Sequence, residues 1–188
     1  MEALTQLTQE HAQILQGITC LETARAALEK NEHPPVDFFK TALLFFTEYA
    51  DRLHHYKEEY LLFSSLASKR GGTIDLEIGS LRYQHELNRR CLKKVKESLK
   101  GYENKSEIAV TTLLENIAAY ISILKRHIDK EEQQFFPMAG AELSENEQRR
   151  LKEQFEEEEA GLNVKEINRE NLARLGRMND LISGFRNR

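Results

Sequence analysis

The chain has 188 residues, with 31 Asp and Glu, 27 Lys and Arg, six His, two Cys and no Trp. This length predicts one domain with an appended segment, large enough for a hydrophobic core. The net charge of -4 argues against nucleic acid or an anionic membrane surface as the main partner, because both attract basic surfaces. No run of about 18 uncharged apolar residues is present, and the N-terminus lacks signal-peptide features, so we expect no membrane span and a cytoplasmic location.

Apolar residues recur at helical spacing between breaks at proline and glycine. This pattern predicts four long helices, which run from about Leu4 to Lys30, Val36 to Ser68, Ile74 to Lys100 and Ser106 to Phe136. The predicted breaks are Pro34-Pro35, Arg70-Gly71-Gly72, Gly101 and Pro137, and the predicted N-caps are Thr73 and Ser106. Short connections favour antiparallel neighbours, so we expect an all-α, up-down-up-down four-helix bundle over residues 1–138.

Residues 139–188 are predicted to form a C-terminal helical extension. Ser144 and Glu147 fit a capping box, which marks the start of a helix that continues through the acidic run Glu156–Glu159 and ends near Gly161. A last helix is expected from about Lys165 to Ile182. The extension either packs on the bundle or mediates self-association or contact with a partner, and the sequence leaves both possibilities open.

The second and fourth predicted helices contain nearly the same string, His-x-x-Lys-Glu-Glu followed by Phe. The copies begin at His54 and at His127, and each places a glutamate four residues later, at Glu58 and Glu131. Residues four apart lie one turn apart on the same helix face. Both pairs continue apolar lines, so we expect them to point inward, where an unpaired charge is costly and metal coordination relieves that cost.

Two further histidines, His11 and His85, lie on apolar lines of the first and third helices. Each predicted helix therefore offers at least one inward histidine. The resulting set of candidate metal ligands is His11, His54, Glu58, His85, His127 and Glu131. Imidazole and carboxylate together suit iron, and this set is a chemically sensible environment for a non-haem di-iron centre.

This doubled pattern resembles the hemerythrin-like (HHE cation-binding) family over roughly residues 4–138. The resemblance implies a four-helix bundle with two iron ions in an oxo- or hydroxo-bridged centre, bridging carboxylates at Glu58 and Glu131, and the four histidines as terminal ligands. It also implies a small-molecule ligand: oxygen, peroxide or nitric oxide. Oxygen-carrying members use a fifth histidine one turn after the third-helix ligand, where this chain has Arg89. That departure implies a more open iron site.

Several neighbouring residues are expected to point away from the site. His55 is rotated by about 100° from His54 on an α-helix and is expected at the surface or behind the ligands. Glu59 and Glu132 are similarly rotated and are expected to be surface charges, and Tyr120 is expected to be a core aromatic residue.

The sequence also bears on other functions. The same residues also fit an iron sensor or donor, or an iron–sulfur cluster repair protein, without substrate turnover. A ferritin-like oxidase is disfavoured because no histidine has a glutamate three residues earlier. A zinc hydrolase is disfavoured because six ligands exceed the usual four of zinc, and a metal-free interaction bundle leaves the doubled motif unexplained.

Overall fold

The computed structural model describes residues 2–67, 69, 73–161 and 164–186. This part of the chain is almost entirely helical apart from short connections such as residues 30–35 and 104–106, and no residue in it forms a strand. The α-helices are α1 (Glu2–Glu29), α2 (Val36–Phe45), α3 (Phe63–Leu66), α4 (Thr73–Glu103), α5 (Glu107–Lys130), α6 (Phe136–Glu142), α7 (Glu145–Gly161) and α8 (Val164–Arg186). Two π-helical stretches, Phe46–His55 and Lys57–Leu62, connect α2 to α3, and a third, Glu131–Phe135, connects α5 to α6.

Four long helical segments thus occur where the periodicity predicts them, and further helices follow. Ser106 caps α5, since its side chain accepts a hydrogen bond from the backbone N–H of Ala109. The capping box at the start of α7 is also confirmed, because the Ser144 N–H and hydroxyl both contact the Glu147 carboxylate. The predicted break at residues 70–72 lies outside the described part of the chain.

Gly101 does not end the third long helix, as the sequence led us to expect. It lies inside α4, and a Cβ at this position would lie 2.6 Å from the Cβ of Ala109 on α5. The glycine therefore allows close approach of two antiparallel helices. The turn itself follows later, where Lys105 adopts a positive φ of 56°.

Pro137 likewise does not end the fourth long segment. It follows a π-helical stretch and occupies the first turn of α6, which continues to Glu142. The first turn of a helix tolerates proline because the missing N–H has no helical acceptor there.

Buried apolar side chains form two clusters at different levels of the helices. The larger cluster includes Ile14, Phe46, Ala50, Leu124 and Ile128. The smaller cluster includes Leu7, Leu62, Phe63, Leu81 and Phe135. His11, His54 and Glu131 fall between these positions along their own helices, so a polar layer separates the two apolar clusters.

The C-terminal helices pack against the rest of the chain. Leu151 and Phe155 of α7 belong to the smaller apolar cluster. The larger cluster includes four residues of α8, which are Val164, Leu175, Met178 and Ile182. The sequence left open whether the extension packs on the bundle or mediates contacts with other molecules. The structure shows that it packs on the helical core.

By length and composition alone, the stretch Glu107–Glu142 could cross a membrane. The sequence-based expectation excluded such a helix. The finding is weak evidence for a membrane span, because apolar core helices of soluble proteins pass the same test. Here Leu113, Ile117 and Leu124 on this stretch are buried within the protein, and 28% of its most apolar window is buried.

Candidate metal centre

The middle of the second long segment is wound as a π-helix, and it carries two adjacent histidines. His54 and His55 end the first π-helical stretch, and both side chains are buried, with 1% and 2% exposure. On a regular α-helix these neighbours would diverge by about 100°. Wide turns change the direction of successive side chains, and they occur often at functional sites.

Potential metal-binding atoms converge in two buried groups, within which all ligand atoms lie no more than 4.8 Å apart. Cluster 1 consists of His11, His54, Glu58 and Glu131, and cluster 2 consists of His55, Glu58, His85 and His127. The structure therefore brings together all six residues proposed from the sequence. Glu58 belongs to both clusters. His55 is a seventh member, and since it is buried, the expected position at the surface is wrong.

All five histidines of the two clusters are held in the same way, through Nδ1. Each Nδ1 contacts a side-chain oxygen on its outer side: Glu132 for His11 at 2.9 Å, Glu10 for His54 at 2.9 Å, Asp51 for His55 at 3.2 Å, Glu59 for His85 at 2.7 Å and Gln84 for His127 at 3.0 Å. Such contacts fix the ring orientation and the tautomer that leaves Nε2 as the ligand atom. Glu59 and Glu132, expected to be surface charges, thus hold histidines on neighbouring helices.

Most inner atoms of the clusters face one another without a hydrogen bond, whereas the Nε2 atoms of His85 and His127 lie 2.9 Å apart. The Nε2 atoms of His11 and His127 lie 3.3 and 3.1 Å from one oxygen of Glu131. Nonetheless, both carboxylate oxygens of Glu131 and of Glu58 lack a hydrogen-bond partner among the described residues. Buried carboxylates left in this state are costly, and a bound cation would remove that cost. The residues present therefore fit a metal ion.

The pKa values of the metal-free site also show that its buried carboxylates and imidazoles are strongly perturbed. Burial and the neighbouring Glu58 carboxylate raise the pKa of Glu131 to about 7. Although burial opposes it, the attraction of Glu58 and Glu10 raises the pKa of His54 to about 10. Two fully buried carboxylates beside several imidazoles offer ligand atoms that suit a positive ion once the imidazoles have lost their protons.

The sequence did not predict a series of ion pairs that leads from cluster 1 to α7. Glu10, which holds His54, also pairs with Lys57, a lysine with only 1% exposure. Lys57 in turn lies 3.0 Å from Glu159 of α7, and its ammonium lies 5.5 Å from the ring centroid of Phe155. Helical spacing gave no sign of this link, because its partners are far apart in the sequence.

The family model of the hemerythrin HHE cation-binding domain matches residues 2–139. The chain belongs to this family. No curated protein and no solved structure matches the chain. The matched range of the HHE protein contains every member of both clusters, and this family binds cations. Helices α7 and α8, including Glu159, lie beyond the matched range.

Proposed function

We propose that this HHE protein is a non-haem di-iron protein that binds or reacts with a small oxidant or diatomic ligand, namely oxygen, peroxide or nitric oxide. The observation that carries the proposal is the pair of buried clusters that share Glu58. Imidazole nitrogens and carboxylate oxygens converge there, and the oxygens of Glu58 and Glu131 and the Nε2 atoms of three histidines have no hydrogen-bond partner among the described residues.

Two ions fit this arrangement better than one, because each carboxylate lies between the clusters. Glu131 contacts Nε2 of His11 in cluster 1 and Nε2 of His127 in cluster 2. Glu58 lies 3.2 Å from Nε2 of His54 and 3.4 Å from Nε2 of His85. Both glutamates would therefore help to hold the ion in either cluster, and the histidines would supply the remaining protein ligands. The mixture of imidazole and carboxylate ligands favours iron.

Iron in this site would supply Lewis acidity and one-electron redox chemistry. The chain itself holds the ligands in place and restricts water. The Phe136 ring stacks on His11 at a centroid distance of 5.6 Å, and the Phe63 ring stacks on His85 at 6.2 Å. These rings belong to the smaller apolar cluster, so only small ligands are expected to reach the site.

The architecture and location that accompany this proposal follow the sequence-based predictions. The four long helical segments are proposed to form an up-down-up-down four-helix bundle over residues 1–138, with residues 139–188 as the extension. Two observations support the bundle: each long segment carries members of the clusters, and α4 and α5 approach closely at Gly101. The cytoplasmic location and the absence of nucleic-acid or membrane partners stay predictions from composition.

Anaerobic titration with ferrous iron, followed by metal analysis, tests the di-iron site. We expect two irons per chain in the wild-type protein and reduced occupancy in His54→Ala and Glu131→Ala. The control is Glu157→Gln, an exposed carboxylate on α7, which should leave the iron content unchanged. Full iron occupancy in both site variants would contradict the proposed ligands. Adding oxygen, peroxide or nitric oxide to the ferrous protein and recording the visible spectrum then tests the small ligand.

A second candidate function is an iron sensor or donor, or a cluster repair protein, that does not turn over a substrate. The series of ion pairs from His54 through Glu10 and Lys57 to Glu159 favours this function. These pairs connect a proposed metal ligand to a helix outside the family domain. Any change in His54 on metal loading would change the contacts that hold α7.

Hydrogen exchange of the full-length protein with and without ferrous iron tests this second candidate. A sensor predicts slower exchange in α7 when iron is bound, and loss of that difference in Glu159→Gln. Glu157→Gln on the same helix is the matched control. If α7 exchanges equally in both states while oxygen or peroxide is consumed by the ferrous protein, the sensor function is refuted.

A further inference from the structure

The Nδ1 of His55 is held by a side-chain oxygen, as in the four histidines identified from the sequence. Its Nδ1 lies 3.2 Å from Asp51, and its Nε2 is buried without a hydrogen-bond partner in the described part of the chain. The corresponding atoms of His11 and His54 show this same combination of a held Nδ1 and an unpartnered Nε2.

The position of His55 also matches a ligand of cluster 2. Its ring lies parallel to that of His85, with a centroid distance of 3.8 Å and an interplanar angle of 16°, and approaches His127 edge-on at 5.7 Å. Its ligand atom lies within 4.8 Å of those of Glu58, His85 and His127. Stacking alone would not require Nε2 to face the same point as the other donors.

Arg89 supports this arrangement from outside the site. Its Nε donates to Asp51 at 2.8 Å, and its terminal nitrogen donates to Glu59 at 2.6 Å. Asp51 holds His55, and Glu59 holds His85, so one guanidinium fixes the carboxylate partners of two cluster 2 histidines. A planar guanidinium with several donors is suited to bridging two carboxylates.

We propose that His55 is a metal ligand of cluster 2 and that Arg89 and Asp51 are its positioning residues. The inference rests on the proposed dinuclear site and deepens it. The site then has five imidazoles, three in cluster 2 and two in cluster 1. Arg89 therefore does not leave the site more open, as its place in the sequence implied. It orients a histidine that a neighbouring helix supplies.

Cobalt(II) titration under anaerobic conditions tests the inference, because the visible spectrum of cobalt(II) reports its ligands without any reaction of the protein. The wild-type protein should bind two cobalt ions. His55→Gln should bind one normally and the other at least tenfold more weakly, with an altered spectrum. Asp51→Asn should weaken the same site by about 10–100-fold while keeping every donor. His33→Gln, at an exposed loop position, is the control and should behave as wild type.

The outcomes separate this inference from the proposed function. Wild-type affinity and spectrum for both ions in His55→Gln would overturn the role of His55 and leave the dinuclear site standing. Fewer than two cobalt ions in the wild-type protein would overturn the dinuclear site and the inference with it. If His55→Gln loses its helical circular dichroism, Asp51→Asn decides: an unchanged second affinity overturns the inference, and a weakened one supports it.

Discussion

The ionised Glu131 carboxylate is expected to destabilise the metal-free protein and to stabilise the metal-bound one. The carboxylate is fully buried, and neither oxygen has a hydrogen-bond partner among the described residues. Burial and the Glu58 carboxylate raise its pKa from 4.5 to about 7. Since the folded state then holds the proton more tightly than the unfolded chain, this group lowers the stability of the fold as pH rises from 4.5 to about 7.

The size of this effect follows from the two pKa values. The difference between 4.5 and about 7 corresponds to about 3 kcal/mol of stability lost above pH 7. Glu131→Gln removes the ionisable group and nearly preserves its shape. We therefore expect the metal-free variant to be more stable than wild type by up to about 3 kcal/mol at pH 8, with most of this gain absent at pH 5. In the presence of metal the order reverses, because the variant has lost a donor and a bound ion stabilises only the state that holds it.

Urea unfolding followed by circular dichroism measures both effects. The metal-free experiment uses a chelator at pH 5 and pH 8, and the loaded experiment uses excess ferrous iron without oxygen. Glu157→Gln serves as the control for removing an exposed carboxylate. If Glu131→Gln is less stable than wild type at both pH values without metal, the carboxylate is a structural hydrogen-bond acceptor and the reasoning is refuted.

Three further predictions concern the fold and the protons of the site. Gly101→Ala should destabilise the protein by about 1–3 kcal/mol because of the 2.6 Å clash with α5, whereas Gly79→Ala, which meets nothing within 4 Å, should stabilise α4 by about 0.5–1 kcal/mol. Equal effects in urea unfolding would contradict the close approach. Burial lowers the pKa of His54 and His85, but nearby carboxylates outweigh it and raise these values to about 10 and 9. Their charged forms stabilise the metal-free fold fully below pH 6.5, and this contribution is lost as pH rises through 9 to 10. Metal must displace these protons. Calorimetry in two buffers should therefore detect proton release, and the metal affinity should rise from pH 7 to pH 9. Binding without proton release would contradict the raised pKa values of the two histidines. Phe155→Ala should cost about 3–5 kcal/mol, since this fully buried ring packs α7 on the core, and a loss below about 1 kcal/mol in urea would show that α7 is loosely held.

The helices and most of the candidate site were predictable from local sequence features. Periodicity at three and four residues marked the four long segments, and the capping box marked the start of α7. The doubled motif placed Glu58 and Glu131 on inward faces because the residues four apart stay close even where the turns widen. His11 and His85 followed from their apolar neighbours. In each case the signal lies within one helix, where spacing determines the face.

His55 was not predictable in this way, because the expectation assumed α-helical turns. The stretch Phe46–His55 is π-helical, its two adjacent histidines are both buried in different clusters, and no residue type in it indicates that winding. Lys57 and Glu159 were missed for a different reason: their contact joins helices far apart in the sequence. A lysine beside a glutamate in a helix usually indicates a solvated face, and only the packing of α7 shows that this one is buried.

The breaks assigned to Gly101 and Pro137 show how the same residue types serve two purposes. Glycine and proline often end helices, but glycine also permits close helix approach and proline also fits the first turn. Choosing between these roles requires the neighbouring helix or the preceding π-helical stretch. Neither is visible in a single run of sequence.

The most direct test of the account is the number of metal ions that the full-length chain binds tightly. The protein is loaded with ferrous iron without oxygen, freed of excess metal, and analysed for iron per chain beside Glu58→Ala. The shared position of Glu58 predicts two irons in the wild-type protein and loss at both clusters in the variant. One iron or none in the wild type, or two irons retained after the loss of Glu58, would contradict the dinuclear centre.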